Sequence, residues 1–95
     1  MAEFVHLHSH TMYSLLDGGC RICDIADLAA EEDMPAVAIT DHGNLFGAIE
    51  FYNQMRRVGV KPIIGCEVYC AIEGRFSRQA ARGIQSGANH LVLLA

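Results

Sequence analysis

The stretch that most limits how this chain can fold is Ala36-Val37-Ala38-Ile39-Thr40. It is a run of strand length that carries no charge and does not alternate apolar with polar residues. Strands of that kind are buried on both faces, the habit of parallel sheets. A helical pattern precedes it, from about Arg21 to Asp33. Ile22, Ile25, Leu28 and Ala29 share one face, and Asp24, Glu31 and Glu32 fall largely elsewhere. Met34-Pro35 should end this helix, because a residue before proline resists the helical conformation. A second helix is expected from about Leu45 to Val58, packed through Ile49, Tyr52 and Met55, with Gly59 as its stop. Residues 3–8 read as a first strand, Lys61 to Tyr69 as a third, and His90 to Ala95 as a fourth. The polar stretch from Gly74 to Gly87 carries Arg75, Arg78 and Arg82. It reads as an exposed loop or short helix, a solvated basic segment in preference to a nucleic-acid contact.

This alternation predicts an α/β fold with parallel strands and right-handed crossover helices. It is the first part of either a β/α barrel or an open α/β sheet. In such barrels chemistry collects at the carboxyl ends of the strands. The polar residues at those predicted ends are the notable ones. His6, His8 and His10 alternate, so a strand would point them to one face. His8 and His10 lie where the first strand runs out, and Asp17 follows in the loop. Asp41-His42-Gly43 ends the second strand, and Glu67 lies past Ile63-Ile64-Gly65 in the third. His90 is the exception, since it opens its strand. Imidazole and carboxylate groups gathered this way point to a divalent metal site. Glu67 in an apolar strand argues the same way, because an unpaired buried carboxylate is costly. His6 precedes the strand end and is expected to be a packed or hydrogen-bonded core histidine. Ser14 and Thr40 lack an adjacent oriented base, so they read as hydrogen-bonding residues and not nucleophiles.

Composition narrows the remaining choices. The chain has 95 residues, 52% hydrophobic and 19% charged. That is apolar for so small a domain, and it suggests faces meant to be covered by more chain. Four strands are too few to close a barrel, so an open edge and a tendency to associate are expected. The formal charge of -4 is uneven: one base against nine acids up to residue 50, then six bases against two acids. This gives no footprint for sequence-independent nucleic-acid binding, and bound divalent ions would offset the acidic half. No signal peptide or membrane-length apolar run is visible, so a cytoplasmic chain is expected. Cys20-x-x-Cys23 and Cys66-x-x-x-Cys70 lack the glycine-rich knuckle of a thiolate zinc site; buried free thiols are the expectation.

The motifs also carry a family resemblance. His8-Ser9-His10-Thr11 to Ser14-Leu15-Leu16-Asp17-Gly18 resembles the first motif of the PHP (polymerase and histidinol phosphatase) domain. Ala38-Ile39-Thr40-Asp41-His42-Gly43-Asn44 resembles the second, and Pro62 to Tyr69 the third. In wording, Phe4 to Gly18, Thr40 to Tyr52, Lys61 to Tyr69 and Asn89 to Ala95 are similar to the amino-terminal PHP domain of bacterial replicative C-family DNA polymerases. The resemblance implies that residues 1–95 are the amino-terminal portion of a distorted (β/α)7 TIM-like barrel. It also implies a cluster of up to three divalent ions, zinc, manganese or magnesium. His8 and His10 would hold one ion, Glu67 would bridge it to a second that His90 also binds, and Asp17 and His42 would serve a third. Asp41 is the catalytic candidate, expected to orient His42 or the cluster and not to bind directly. Family ligands further along the barrel lie beyond this stretch of sequence.

Having both His8 and His10 favours the nuclease-competent kind of domain, a metal-dependent phosphoesterase of the 3′–5′ proofreading type. The implied partners are primer–template DNA and other replicase subunits, with no membrane. A free-standing PHP phosphatase and a catalytically silent platform for the polymerase and a proofreading partner are the alternatives.

Overall fold

A computed structural model describes residues 4–71, 74–76 and 88–95. Its elements are α1 (Ile22–Glu31), β1 (Ala36–Ile39), α2 (Ala48–Val58), β2 (Lys61–Ala71) and β3 (Ala88–Leu94). They form a three-stranded sheet in the order β1-β2-β3. β1 pairs with the first part of β2 in parallel, Ala36 opposite Lys61 through Ile39 opposite Ile64.

The expected strand over residues 3–8 is reduced to one parallel bridge, His6 opposite Val37. The segment still runs beside β1: Ala38 N donates to His6 O at 2.8 Å, and Thr40 N to Ser9 O at 2.8 Å. The two bonds are two residues apart on β1 but three apart on the first segment, so they align the backbone without making a continuous ladder. His6 is exposed, with its ring edge-on to Phe4 at 4.7 Å, and is not the core histidine expected.

Both helices end in the same way. Asp33 and Gly59 adopt left-handed backbone (φ 54° and 78°). Met34 N then donates to Ala29 O at 2.9 Å, and Val60 N to Met55 O at 3.0 Å. This satisfies the otherwise orphaned terminal carbonyls and turns the chain into the next strand. Pro35 and Pro62, each one or two residues further on, keep either helix from continuing.

The core joins Ile22, Ala26 and Ala29 of α1 to Phe51 and Met55 of α2, with Val37, Ile39 and Val60 beneath. Val37 and Ile39 point to the same side of β1, so both helices cover one face of the sheet. That suits a barrel, where helices lie outside, better than an open sheet wound on both faces. The inward stripe of α2 runs through Phe51 and Met55. Ile49 and Tyr52, expected to pack, are exposed on the neighbouring stripe, where Arg56 lies over the Tyr52 ring at 5.8 Å. Leu28 is likewise exposed, and α1 packs through Ile22, Ala26 and Ala29 instead.

The last pair corrects the expectation of an all-parallel sheet. β3 runs antiparallel to β2, from Gly65 opposite Leu94 to Ala71 opposite Ala88. β2 therefore serves two partners: its first residues follow β1, and the remainder carries β3. Among the described residues no helix is long and apolar enough to cross a membrane. All four cysteines are free, but none is buried as expected; Cys20 and Cys70 are exposed. Arg75 is exposed, while Arg78 and Arg82 lie outside the described residues.

Candidate metal centre

The site forms where β1 ends. The parallel register of β1 and β2 reappears past Ile39, because His42 bridges Glu67 at the same offset. Glu67 N donates to Asp41 O at 3.0 Å, and Gly43 N donates to Glu67 O at 2.9 Å. The backbone thus sets His42 beside Glu67. The first segment arrives from the other side: Ser9 N donates to the Thr40 hydroxyl at 2.9 Å, which holds His8 and His10 over the same strand end.

Glu67 is the hub. Its side chain is 3% exposed. Oε1 contacts His8 Nε2, and lies 3.2 Å from His10 Nε2. Oε2 lies 2.8 Å from His90 Nδ1 and 2.9 Å from His42 Nδ1. Burial alone would push this carboxyl up, but hydrogen bonds from His8, His10 and His90, with the charge of His42, outweigh it and hold the group down at about 2. Asp17 makes a second junction at the rim. Its Oδ2 is 2.5 Å from His42 Nε2 and 3.0 Å from His10 Nδ1. The His42 hydrogen bond is the main reason its carboxyl is held below the usual range. Asp17 is presented by a tight turn in which Asp17 N and Gly18 N both donate to Ser14 O, with Leu16 at a left-handed φ of 70°.

The six expected ligand residues are therefore brought together. They form three overlapping groups, His8–His10–Glu67, His10–Asp17–His42 and His42–Glu67–His90, with ligand atoms within 4.8 Å of one another in each. Among the described residues no such group includes a cysteine. His90 reaches the cluster because β3 is antiparallel. In a parallel strand its early position would lie at the far end of the sheet, but here it is the register partner of Tyr69, at the site end of β2.

Asp41 lies outside the three ligand groups. It is buried and turned toward the preceding loop, away from the imidazoles. Thr11 N donates to Oδ1 at 2.6 Å, the Thr11 hydroxyl to Oδ2 at 2.8 Å, and the Ser14 hydroxyl to Oδ1 at 2.7 Å. Ser14 Oγ in turn accepts from His42 N at 3.0 Å. Asp41 acts as a clamp that reaches His42 only through Ser14. Thr11, Ser14 and Asp41 form a buried polar layer under the cluster, and Ser14 has the hydrogen-bonding role expected of it. Two participants escaped the sequence reading. Thr11 sits directly after the H-x-H pair, where its position was itself a signal. Tyr69 lies two residues past Glu67 and so on the same strand face, with its ring parallel to His42 and edge-on to His90.

The donor set fits divalent cations. Imidazole nitrogens and carboxylate oxygens are their usual protein ligands. His42 Nδ1 adds a specific sign: it is buried without a hydrogen-bond partner, since Glu67 Oε2 is near but poorly aligned. A cation between the two would satisfy both atoms.

Fold and site together define an α/β metal-site domain with ligands gathered at strand ends. The PHP domain family model matches residues 6–95, and the chain belongs to that family. It is 53% identical over 96 residues to DNA polymerase III subunit alpha of Thermus aquaticus, covering 98% of this chain and 8% of that protein. It is 50% identical over 95 residues to DNA polymerase III subunit alpha of Borreliella burgdorferi, covering 99% and 8%. The chain thus spans about 8% of the length of these relatives. Among solved structures, it resembles a protein of Bifidobacterium adolescentis assigned as a metal-dependent phosphoesterase. That match has a TM-score of 0.68 and 26% identity, covering 77% of this chain and 25% of that one. It also resembles an amidohydrolase of Chromobacterium violaceum solved with bound sulfate and no metal. Here the TM-score is 0.70 and the identity 27%, covering 95% and 27%. These neighbours have the TIM-like barrel expected for the family. With the His/Glu cluster, they point to divalent metal binding.

Proposed function

We propose that this chain is the amino-terminal part of the PHP domain of a bacterial DNA polymerase III alpha subunit, working in the cytoplasm on primer–template DNA with other replicase subunits. In this reading His8, His10, Asp17, His42, Glu67 and His90 hold up to three divalent ions, of zinc, manganese or magnesium, for 3′–5′ hydrolysis of DNA ends. The observation that carries it is the position of Glu67, one buried carboxylate shared by two ligand groups while His10 and His42 link both to the third. When bound, the cations supply Lewis acidity toward water and toward phosphoryl oxygens.

The residues supply the rest. Glu67 stays anionic over the working pH range and fixes the spacing of its imidazoles. Asp17 orients His10 and His42 from the rim, each through a ring nitrogen. Asp41 and Ser14 hold the His42 backbone in place. Every ligand must be deprotonated to bind, so affinity falls on acidification. Likeness to the polymerase subunits favours this reading over a free-standing phosphatase. The intact donor set favours it over a silent platform.

The test uses the full-length protein, mismatched primer–template and Mn2+. Trimming of the 3′ end that disappears in His8→Ala, with DNA synthesis retained, is the expected result. Wild-type protein that binds Mn2+ but leaves the mismatch untouched would return the domain to the platform reading.

A further inference from the structure

We infer that Tyr69 is a positioning residue for one part of the cluster: its ring forms the wall of the His42–Glu67–His90 group and leaves the His8–His10–Glu67 group untouched. The inference rests on the metal reading above and assigns a role to a residue outside the ligand set. Tyr69 and His90 are direct partners in the antiparallel ladder of β2 and β3. Their rings meet edge-on, with centroids 4.9 Å apart and planes at 80°, a favourable aromatic geometry. The same ring lies nearly parallel to His42, at 10° and 6.4 Å. His42 and His90 are themselves edge-on at 5.4 Å. Three rings therefore pack as one unit, and two of them place Nδ1 within 2.9 Å (His42) and 2.8 Å (His90) of Glu67 Oε2.

His90 sits in the regular β2–β3 ladder with its side chain half-exposed, and of the two rings beside it Tyr69 is the nearer. Tyr69 itself is 53% exposed, so its removal opens no core cavity. His8, by contrast, has its ring against His10 at 5.0 Å. Loss of Tyr69 should therefore be felt at one ion and not at all of them. Residues that orient metal ligands typically contribute roughly 10–100-fold to affinity.

The experiment is Mn2+ titration of the metal-stripped full-length protein, with free Mn2+ followed by its paramagnetic resonance signal. Wild type and Tyr69→Phe should bind alike, because the contacts run through the ring. Tyr69→Leu and Tyr69→Thr should each weaken one class of site by roughly 10–100-fold and leave the rest unchanged. His90→Ala should weaken the same class, and adding Tyr69→Leu to it should cost nothing further, as for residues acting as one unit. Unchanged binding in both ringless variants would overturn the inference, and so would equal weakening of every site. Wild-type protein that takes up no Mn2+ would overturn the metal reading itself, a different and recognisable failure.

Discussion

The two flanks of the cluster meet at Glu67 but are built on opposite plans. On one flank His8, His10, Asp17 and His42 come from chain that has just left the sheet, so turns and a buried polar layer must aim them. On the other, Glu67 and His90 sit inside the regular ladder of β2 and β3, where cross-strand pairing aims them. The first plan costs buried polar groups: Thr11, Ser14, Thr40 and Asp41 are all buried. The second costs almost none beyond Glu67. In a site assembled in both ways, a regular ladder holds the carboxylate that the two flanks share.

Glu67 is where the comparison is easiest to break. Glu67→Ala removes the one carboxylate that, among the described residues, both flanks share; it leaves His8 and His90 without their carboxylate partner and His10 with Asp17 alone. Mn2+ affinity should fall by more than the roughly hundredfold cost of losing an outer orienting group, at two groups of sites at once. Equilibrium binding by the full-length protein reads this directly. Retention of either group would mean that the flanks are independent.

Glu67→Gln asks about charge alone. The carboxyl is held down at about 2 from its ordinary 4.5, so the folded protein favours the ionised form. The stability this contributes is fully present above about 4.5 and is lost as pH falls toward 2. The metal-stripped wild type should therefore be more resistant to denaturant than Glu67→Gln at pH 5, and the gap should close between those values. A gap independent of pH would assign the difference to packing.

The flanks also differ in how far they could be read from sequence. His8, His10 and His42 announce themselves because they stand at strand ends next to turn residues, and Glu67 because it interrupts an apolar strand. His90 was legible as a candidate but not as a strand position. Its place depends on strand direction, which no local pattern encodes: an apolar run reads the same whether it pairs parallel or antiparallel. Asp41 shows the converse limit. Its motif neighbours mark it as part of the site, but the direction of its side chain depends on Thr11 and Ser14, about thirty residues away. On α2 the sequence offers two stripes, Phe51/Met55 and Ile49/Tyr52, both apolar enough to pack. Only the tertiary partner chooses between them.

Asp41 gives the next largest effect, and it concerns stability. Asp41→Ala strips three donors of their acceptor in a buried layer. Each buried donor left without an acceptor costs about 1–3 kcal/mol. Chemical denaturation should show a loss of at least that size. Adding Ser14→Ala should then cost only what His42 N loses with its acceptor, because the hydroxyl has already lost its own. Full additivity would mean that the clamp acts as separate bonds.

The smallest effects come from a matched pair of glycines, one on each flank, and they test the difference in plan most cleanly. A Cβ at Gly18 would lie 2.1 Å from Thr11 O, in the turn that presents Asp17; a Cβ at Gly65 would lie 2.5 Å from Leu93 O, in the ladder that carries β3. Both obstacles are backbone, so neither can swing aside, and overpacking of this kind costs about 1–3 kcal/mol. The consequences should differ in location. Gly18→Ala pushes the turn off Thr11 and should spoil the His10–Asp17–His42 group while His90 still meets Glu67. Gly65→Ala pushes β3 outward, which should release His90 and leave Asp17 in contact with His42. Mn2+ titration of the two variants should therefore show different classes of site weakened at similar cost in stability. Loss of the same class in both would show that the flanks move as one body.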